Sequence, residues 1–311
     1  MTIGGIQAFI QYLRSFTQPI TQMASISSQV QRTMAAAERI FNFLDEPEIV
    51  EKTPKYTVEN SNIRGDIRFD HVCFSYEDTD ETVIHDFSAD VKAGQKIAIV
   101  GPTGAGKTTM VKLLMRFHDL KSGRICLDGK DITEFARGDL RKEFGMVLQD
   151  TWLYSGTIME NIRYGRLDAT DEEVIQAAKA AQVDHFVRTL PDGYNTILNE
   201  EATNVSQGQK QLLTIARAIL SDSRIMILDE ATSSVDTRTE LSIQTAMDNL
   251  MRGRTSFIIA HRLSTIRNAD LILCMKDGDI VEQGTHEELL AKNGFYANLY
   301  NSQFEHAEES A

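Results

Sequence analysis

The spacing of apolar residues changes character along this chain of 311 residues. In the first 45 residues, Ile6, Phe9, Ile10, Leu13, Phe16, Ile20, Met23, Ile26, Val30, Met34, Ala37, Ile40, Phe41 and Leu44 recur mostly at steps of three and four. That spacing predicts one apolar stripe along a single long helix over 1–45. Pro19 should kink it, because proline removes an N–H from the helix ladder. The other face carries Gln7, Gln11, Gln18, Gln22, Ser25, Gln29 and Arg32, so this is not a helix surrounded by lipid. Three readings stay open at this point: a helix lining a polar cavity in a bundle, one packed on a soluble partner, or an ordinary surface or coiled-coil helix.

The run Asp-Glu-Pro-Glu at 45–48 ends the helix, and the polar stretch 46–64 reads as a linker. A domain then begins near Gly65 and extends to about 302, with 303–311 as a tail. Residues 67–76 alternate apolar and polar and predict a strand, 83–91 predict a second, and together they form an antiparallel layer. The short apolar run 96–100 reads as a buried strand, and 109–115 as a helix. From about 152 to 220 the pattern is mainly helical, with an acid-capped helix opening at Asp171 and another over 209–220. Strands return at 225–228, 255–260 and 270–275, a hairpin turn falls at 276–279, and helices over 285–290 and 295–300 close the domain. The fold class is α/β, a nucleotide-binding core with a helical insertion.

The formal net charge of -13 argues against a nucleic-acid partner, since neutralising phosphates requires clustered Lys and Arg. Cys73, Cys126 and Cys274 lie far apart among apolar neighbours and are expected to be buried, reduced thiols. No stretch reaches the roughly 18 apolar residues of an obvious membrane span, and the N-terminus lacks the order of a signal peptide. Taken alone, those features indicate a soluble chain.

Candidate chemistry centres on Gly101-Pro102-Thr103-Gly104-Ala105-Gly106-Lys107-Thr108, between the buried strand and the helix that opens with Thr109. Glycines let consecutive N–H groups turn inward into an anion nest, and the helix start adds its positive end. Phosphate oxygens would meet these donors and the Lys107 ammonium, while the Thr108 hydroxyl is placed to join a magnesium shell. A second feature is the apolar strand that delivers Asp229 and Glu230 at its end. Asp229 suits the outer shell of magnesium, and Glu230 can polarise an attacking water. The run Ser206-Gln207-Gly208-Gln209 opens another helix, either as a plain helix cap or as a second hand on the same phosphates.

The loop 101–108, Gln149, the run 206–209, the strand 225–230, Ser-Ser-Val-Asp at 233–236 and His261 stand in the order found in ATP-binding cassette (ABC) proteins. Over about 65–300 the chain resembles the ATPase half of an ABC exporter. The resemblance implies a P-loop NTPase of ABC type with an antiparallel β subdomain and a helical subdomain at about 152–220, preceded by the long N-terminal helix. It implies ATP and Mg2+ as cofactors, and two such domains meeting head to tail around two ATPs. The implied nucleotide contacts are Tyr76 stacking on adenine, Gly101, Pro102, Thr103, Gly104, Ala105, Gly106, Lys107, Thr108, Thr109, Gln149, Ser206, Gly208, Gln209 and Asp236. Thr108, Gln149 and Asp229 would hold the metal, with Glu230 as general base and His261 orienting it.

The helix over 1–45 resembles the last transmembrane helix of exporter half-transporters, which lines the translocation path. That similarity implies a membrane domain as partner, a cell-membrane location with the ATPase domain on the cytoplasmic side, and a fragment that lacks five preceding spans. The family usually carries Gly where Gln207 stands, a replacement similar to one in heterodimeric bacterial multidrug exporters, and 198–203 also departs from the exporter pattern. The competing expectations are a dimerising regulatory module that binds ATP without productive turnover, and a soluble cassette protein of translation or DNA repair. Glu230 and His261 weigh against the first; the N-terminal helix and the acidic charge weigh against the second.

Overall fold

The computed structural model describes residues 3–46, 48, 53–56, 63–76, 81–149, 151–199, 204–229, 235–260 and 263–308. It divides into two compact units, Met1–Glu51 and Lys52–Ala311. The first unit is essentially one helix, α1 (Ile3–Leu44), 42 residues long, which passes through Pro19 without ending there. None of the residues of α1 is buried. Among the described residues, no helix is long and apolar enough to cross a membrane.

The second unit begins with β1 (Ile67–Ser75), β2 (Thr82–Val91) and β3 (Lys96–Val100), followed by α2 (Lys107–Leu114), β4 (Ser122–Leu127) and β5 (Lys130–Asp131). Next come α3 (Arg137–Lys142), β6 (Phe144–Val147), β7 (Gly156–Thr157), α4 (Ile158–Arg163), α5 (Asp171–Ala180), α6 (Asp184–Thr189), β8 (Ile197–Leu198) and α7 (Gln207–Leu220). The unit closes with β9 (Ile225–Asp229), α8 (Thr237–Met251), β10 (Thr255–Ile259), α9 (Leu263–Arg267), β11 (Leu271–Lys276), β12 (Asp279–Gly284), α10 (His286–Ala291) and α11 (Phe295–Glu308). The last helix runs well past the expected end at 300. The end of the expected linker is tied to this unit, because the Lys55 and Tyr56 amides both donate to the Glu134 carbonyl.

Six strands form the central sheet, in the order β12-β11-β3-β10-β9-β6, and four form an antiparallel sheet, β2-β1-β4-β5. In the central sheet all neighbours are parallel except the β11–β12 hairpin at one edge. Strands β3, β9, β10 and β11 are buried on both faces, so their alternation sorts side chains between two cores rather than between core and water. Ile97, Ile99, Ile225, Ile227, Phe257 and Leu273 point into one core, shared with α2 and the antiparallel sheet. Ala98, Val100, Met226, Leu228, Ile258 and Ile272 point into the other, shared with the helices of 158–220 and with α10 and α11.

The cysteines are free, but only Cys274 is buried, and burial pushes its thiol up to about 12. Cys73 and Cys126 are half-buried, a correction to the expectation of three buried thiols. Both occupy the outward alternation of their strands, between the buried pairs Val72 and Phe74, and Ile125 and Leu127.

Candidate nucleotide site

The loop 101–106 leaves β3 at the centre of the parallel sheet and enters α2 at Lys107. Ligands of open α/β sheets bind at the carboxyl ends of such strands, where neighbouring crossovers diverge. Here β3 lies between β10 and β11, so its end faces a crevice. Gly106 caps α2 with φ 94 and no side chain of its own in the way. Gly101 has φ 155, and a Cβ there would stand 2.2 Å from the Met275 carbonyl oxygen at the end of β11. The loop therefore rests directly on the neighbouring strand, an approach only glycine permits.

Lys107 is half-buried, and its Nζ donates to the carbonyls of Gly101 at 2.7 Å and Pro102 at 2.9 Å. An ammonium has three donors, so two hold the loop closed on itself and one is left for a phosphate oxygen. Burial pushes the ammonium below its ordinary range, while the Asp229 carboxylate pulls the other way. The Asp229 carboxylate is therefore within electrostatic reach of Lys107. The link is topological: Asp229 ends β9 opposite Ile259 of β10, which itself pairs with Ile99 of β3. Gln149 follows β6, the strand on the far side of β9, and is exposed.

Tyr76 is half-buried; its hydroxyl lies 3.2 Å from the Thr109 hydroxyl, in the first turn of α2. Its ring meets Phe74 and His118 edge-on. The expected adenine-stacking residue is therefore tied to the helix that follows the loop. Thr108 is exposed, at the second position of α2. Hydroxyl and carboxylate oxygens are hard donors that suit Mg2+, which keeps waters and completes its shell with phosphate oxygens. Among the described residues no group of three or more His, Cys, Asp or Glu side chains could hold a metal ion. A metal here would thus depend on the nucleotide's phosphates as ligands, which fits Thr108 and Asp229.

A second group of expected residues gathers elsewhere. Ser206 caps α7: its hydroxyl accepts from the Gln209 amide at 3.3 Å, and the Gln209 side chain accepts from the Ser206 amide at 2.8 Å. This reciprocal pair is a capping box, so the plain-cap reading of the run holds within this chain. Gly208 is buried, and a Cβ there would lie 2.4 Å from the Thr239 methyl and 2.9 Å from Val235. Asp236 caps α8 by accepting from the Thr239 amide, and hydrogen bonds from the Thr239 side chain and then its amide hold the carboxyl below the usual range. The run 206–209 and Asp236 are therefore one packed unit, built around Thr239. Gln207 donates to the Thr151 hydroxyl at 3.2 Å, two residues beyond Gln149.

A cavity of about 160 Å³ beside the loop is lined by Val100 to Thr103, Lys107, Ala260, Ile266 and α11, with no contribution from α7. Glu230 and His261 lie outside the described residues. Several supporting residues had escaped the sequence: Met275 under Gly101, Thr239 under Gly208, and the α11 face that walls the cavity. No local pattern marks them, because each acts by distance to a segment remote in the chain.

A glycine-rich loop between strand and helix, with a lysine opening the helix and an aspartate at the end of another strand of the sheet, defines a P-loop nucleotide-binding fold. Residues 84–233 match the ABC transporter family model. A fatty acid ABC transporter ATP-binding/permease protein of Mycobacterium bovis is 56% identical over 96% of this chain and 47% of its own length. An ATP-dependent lipid A-core flippase of Legionella pneumophila is 43% identical over 97% of this chain and 51% of its own. A solved bacterial Atm1-family ABC exporter with ATP bound aligns with 97% of this chain and 53% of its own, with a TM-score of 0.77 and 38% identity. This chain belongs to the ABC transporter family and carries its nucleotide-binding domain. It spans about half the length of the curated relatives it matches.

Proposed function

We propose that the chain binds ATP with Mg2+ in the loop 101–108 and hydrolyses it, as the ATPase part of an exporter half-transporter. The observation that carries this reading is Lys107, half-buried, bonded to the loop's own carbonyls and within the field of Asp229. On this reading the backbone donors of 101–106, the start of α2 and Lys107 hold the phosphates, and Tyr76 stacks on the adenine. Thr108, Asp229 and Gln149 would hold Mg2+ beside the phosphates, where it neutralises charge in the transition state. Glu230 takes a proton from the attacking water, and His261 orients Glu230.

Ser206, Gly208, Gln209 and Asp236 do not line the cavity beside this chain's own loop, which supports their serving the nucleotide of a second cassette in a head-to-tail dimer. The partner is a second copy or a similar domain; Gln207 leans toward the latter. The helix α1 is proposed as the last membrane helix of the transporter, placing the ATPase domain at the cytoplasmic face of the cell membrane. A helix with one polar face lining a pathway has a mean hydropathy too low to register as a lone span. The exposed Trp152 and Tyr164, stacked on the half-buried Arg217 next to the Gln149 segment, support a face for the membrane domain. Two relatives are named for a fatty acid and for lipid A-core, which supports a lipid-like export substrate.

The test is a titration of ATP into the chain and into Lys107→Ala. Removing a charge-assisted contact to phosphate should weaken affinity by about tenfold or more. Equal affinities would remove the loop from this role, and phosphate release by the wild type measures turnover.

A further inference from the structure

The cavity beside the phosphate loop has a back wall that no part of the nucleotide reading uses. Tyr296, Leu299 and Tyr300 line it from α11, spaced so that all three fall on one helix face. Opposite them stand Val100, Gly101, Pro102, Thr103 and Lys107, and Ala260 and Ile266 complete the ring. Tyr296, Tyr300 and Ile266 are buried.

Polar ties fix this wall. The Tyr300 hydroxyl accepts a hydrogen bond from Arg267 Nη2 at 2.8 Å, joining the end of α9 to α11. The Tyr296 hydroxyl lies 2.6 Å from His286 Nδ1, joining α11 to α10. Glu282 of β12 accepts from the amides of Phe295 and Tyr296 at 2.8 and 2.9 Å, which anchors the N-terminus of α11. Burial lowers His286 and raises Tyr296, which favours the neutral form of both.

The part of the site that this wall backs is specific. Lys107 and residues 100–103 face the cavity, whereas Thr108 and Thr109 do not. The lysine of such a loop reaches the outer phosphates. We propose that Tyr300 and Arg267 are positioning residues for the terminal-phosphate end of the nucleotide site, holding α9 and α11 as a fixed support behind residues 101–103 and Lys107. The inference rests on the nucleotide reading above. Loss of the tie lets the support relax, and a ligand that reaches the outer end of the loop is affected more than one that stops short of it.

The experiment titrates ATP and ADP separately, in EDTA so that nothing is hydrolysed, into the wild-type chain, Tyr300→Phe, Arg267→Met and the double variant. Each single variant should lose about fivefold in ATP affinity, the size of one lost hydrogen bond, with ADP affinity held within about twofold. The double variant should lose less than the sum of the two single losses, because both remove the same contact. Equal losses for the two nucleotides, or none, would overturn the inference while leaving the nucleotide reading intact. A wild-type chain that binds neither nucleotide would sink that reading and the inference together. Two variants from different helices keep the result readable if one of them folds poorly.

Discussion

Gly101 and Gly104 lie in the same loop under different constraints. A side chain at Gly101 would meet a backbone carbonyl at 2.2 Å, whereas the space around Gly104 is open and only its φ of 84 opposes substitution. Gly104→Ala should therefore cost about 1 kcal/mol, the left-handed penalty of an L-residue. Gly101→Ala should cost more, up to about 3 kcal/mol, because the loop must also lift off β11. Chemical denaturation of the two variants checks the order; a smaller cost for Gly101→Ala would contradict the close approach. Lys107 shows the same dependence on surroundings. Its identity and spacing are legible in the sequence, but its partial burial and its two carbonyl partners depend on where β3 ends.

At the scale of elements, α7 shows how one helix start serves two purposes. Its capping box satisfies the Ser206 and Gln209 amides locally, and Gly208 lets it pack against α8. Ser206→Ala should lower stability by about 1 kcal/mol, the usual size of a lost N-cap. Hydrogen exchange should show the loss concentrated in the first turn of α7; uniform loss across the chain would mean the cap is not the cause. Other elements were less legible. The strand β4 opens with three exposed residues, and α8 carries polar residues through most of its length, so neither shows a clean period. Both are set by neighbours: β4 by pairing with β1, α8 by packing on α7.

At the scale of the whole molecule, the proposed composite site would take its phosphate loop from one cassette and the 206–209 run from another. The proposed head-to-tail pair would bring Ser206 and Asp236 of each cassette to the other's phosphate loop. Glu230→Gln should abolish turnover while retaining ATP, and so accumulate an ATP-dependent dimer, measured by sedimentation. A variant that stays monomeric at saturating ATP, or that hydrolyses at the wild-type rate, would count against the assigned role. Each copy carries a net charge of -13, so moderate salt should favour that dimer by screening the repulsion between copies.

By itself the sequence determined the parts whose physics is local. The loop's glycines and lysine, the paired acids after a buried strand, the capping residues of α5 and α7 and the long striped helix all follow from neighbours within a few positions. Tertiary structure alone decided what depends on contacts between remote segments. It set the strand order that places Asp229 near Lys107, the carbonyl that forbids a side chain at Gly101, the outward alternation that leaves Cys73 and Cys126 half-exposed, and the α11 wall behind the loop. Such distances depend on how two sheets and their helices stack, and no window of a few residues contains them.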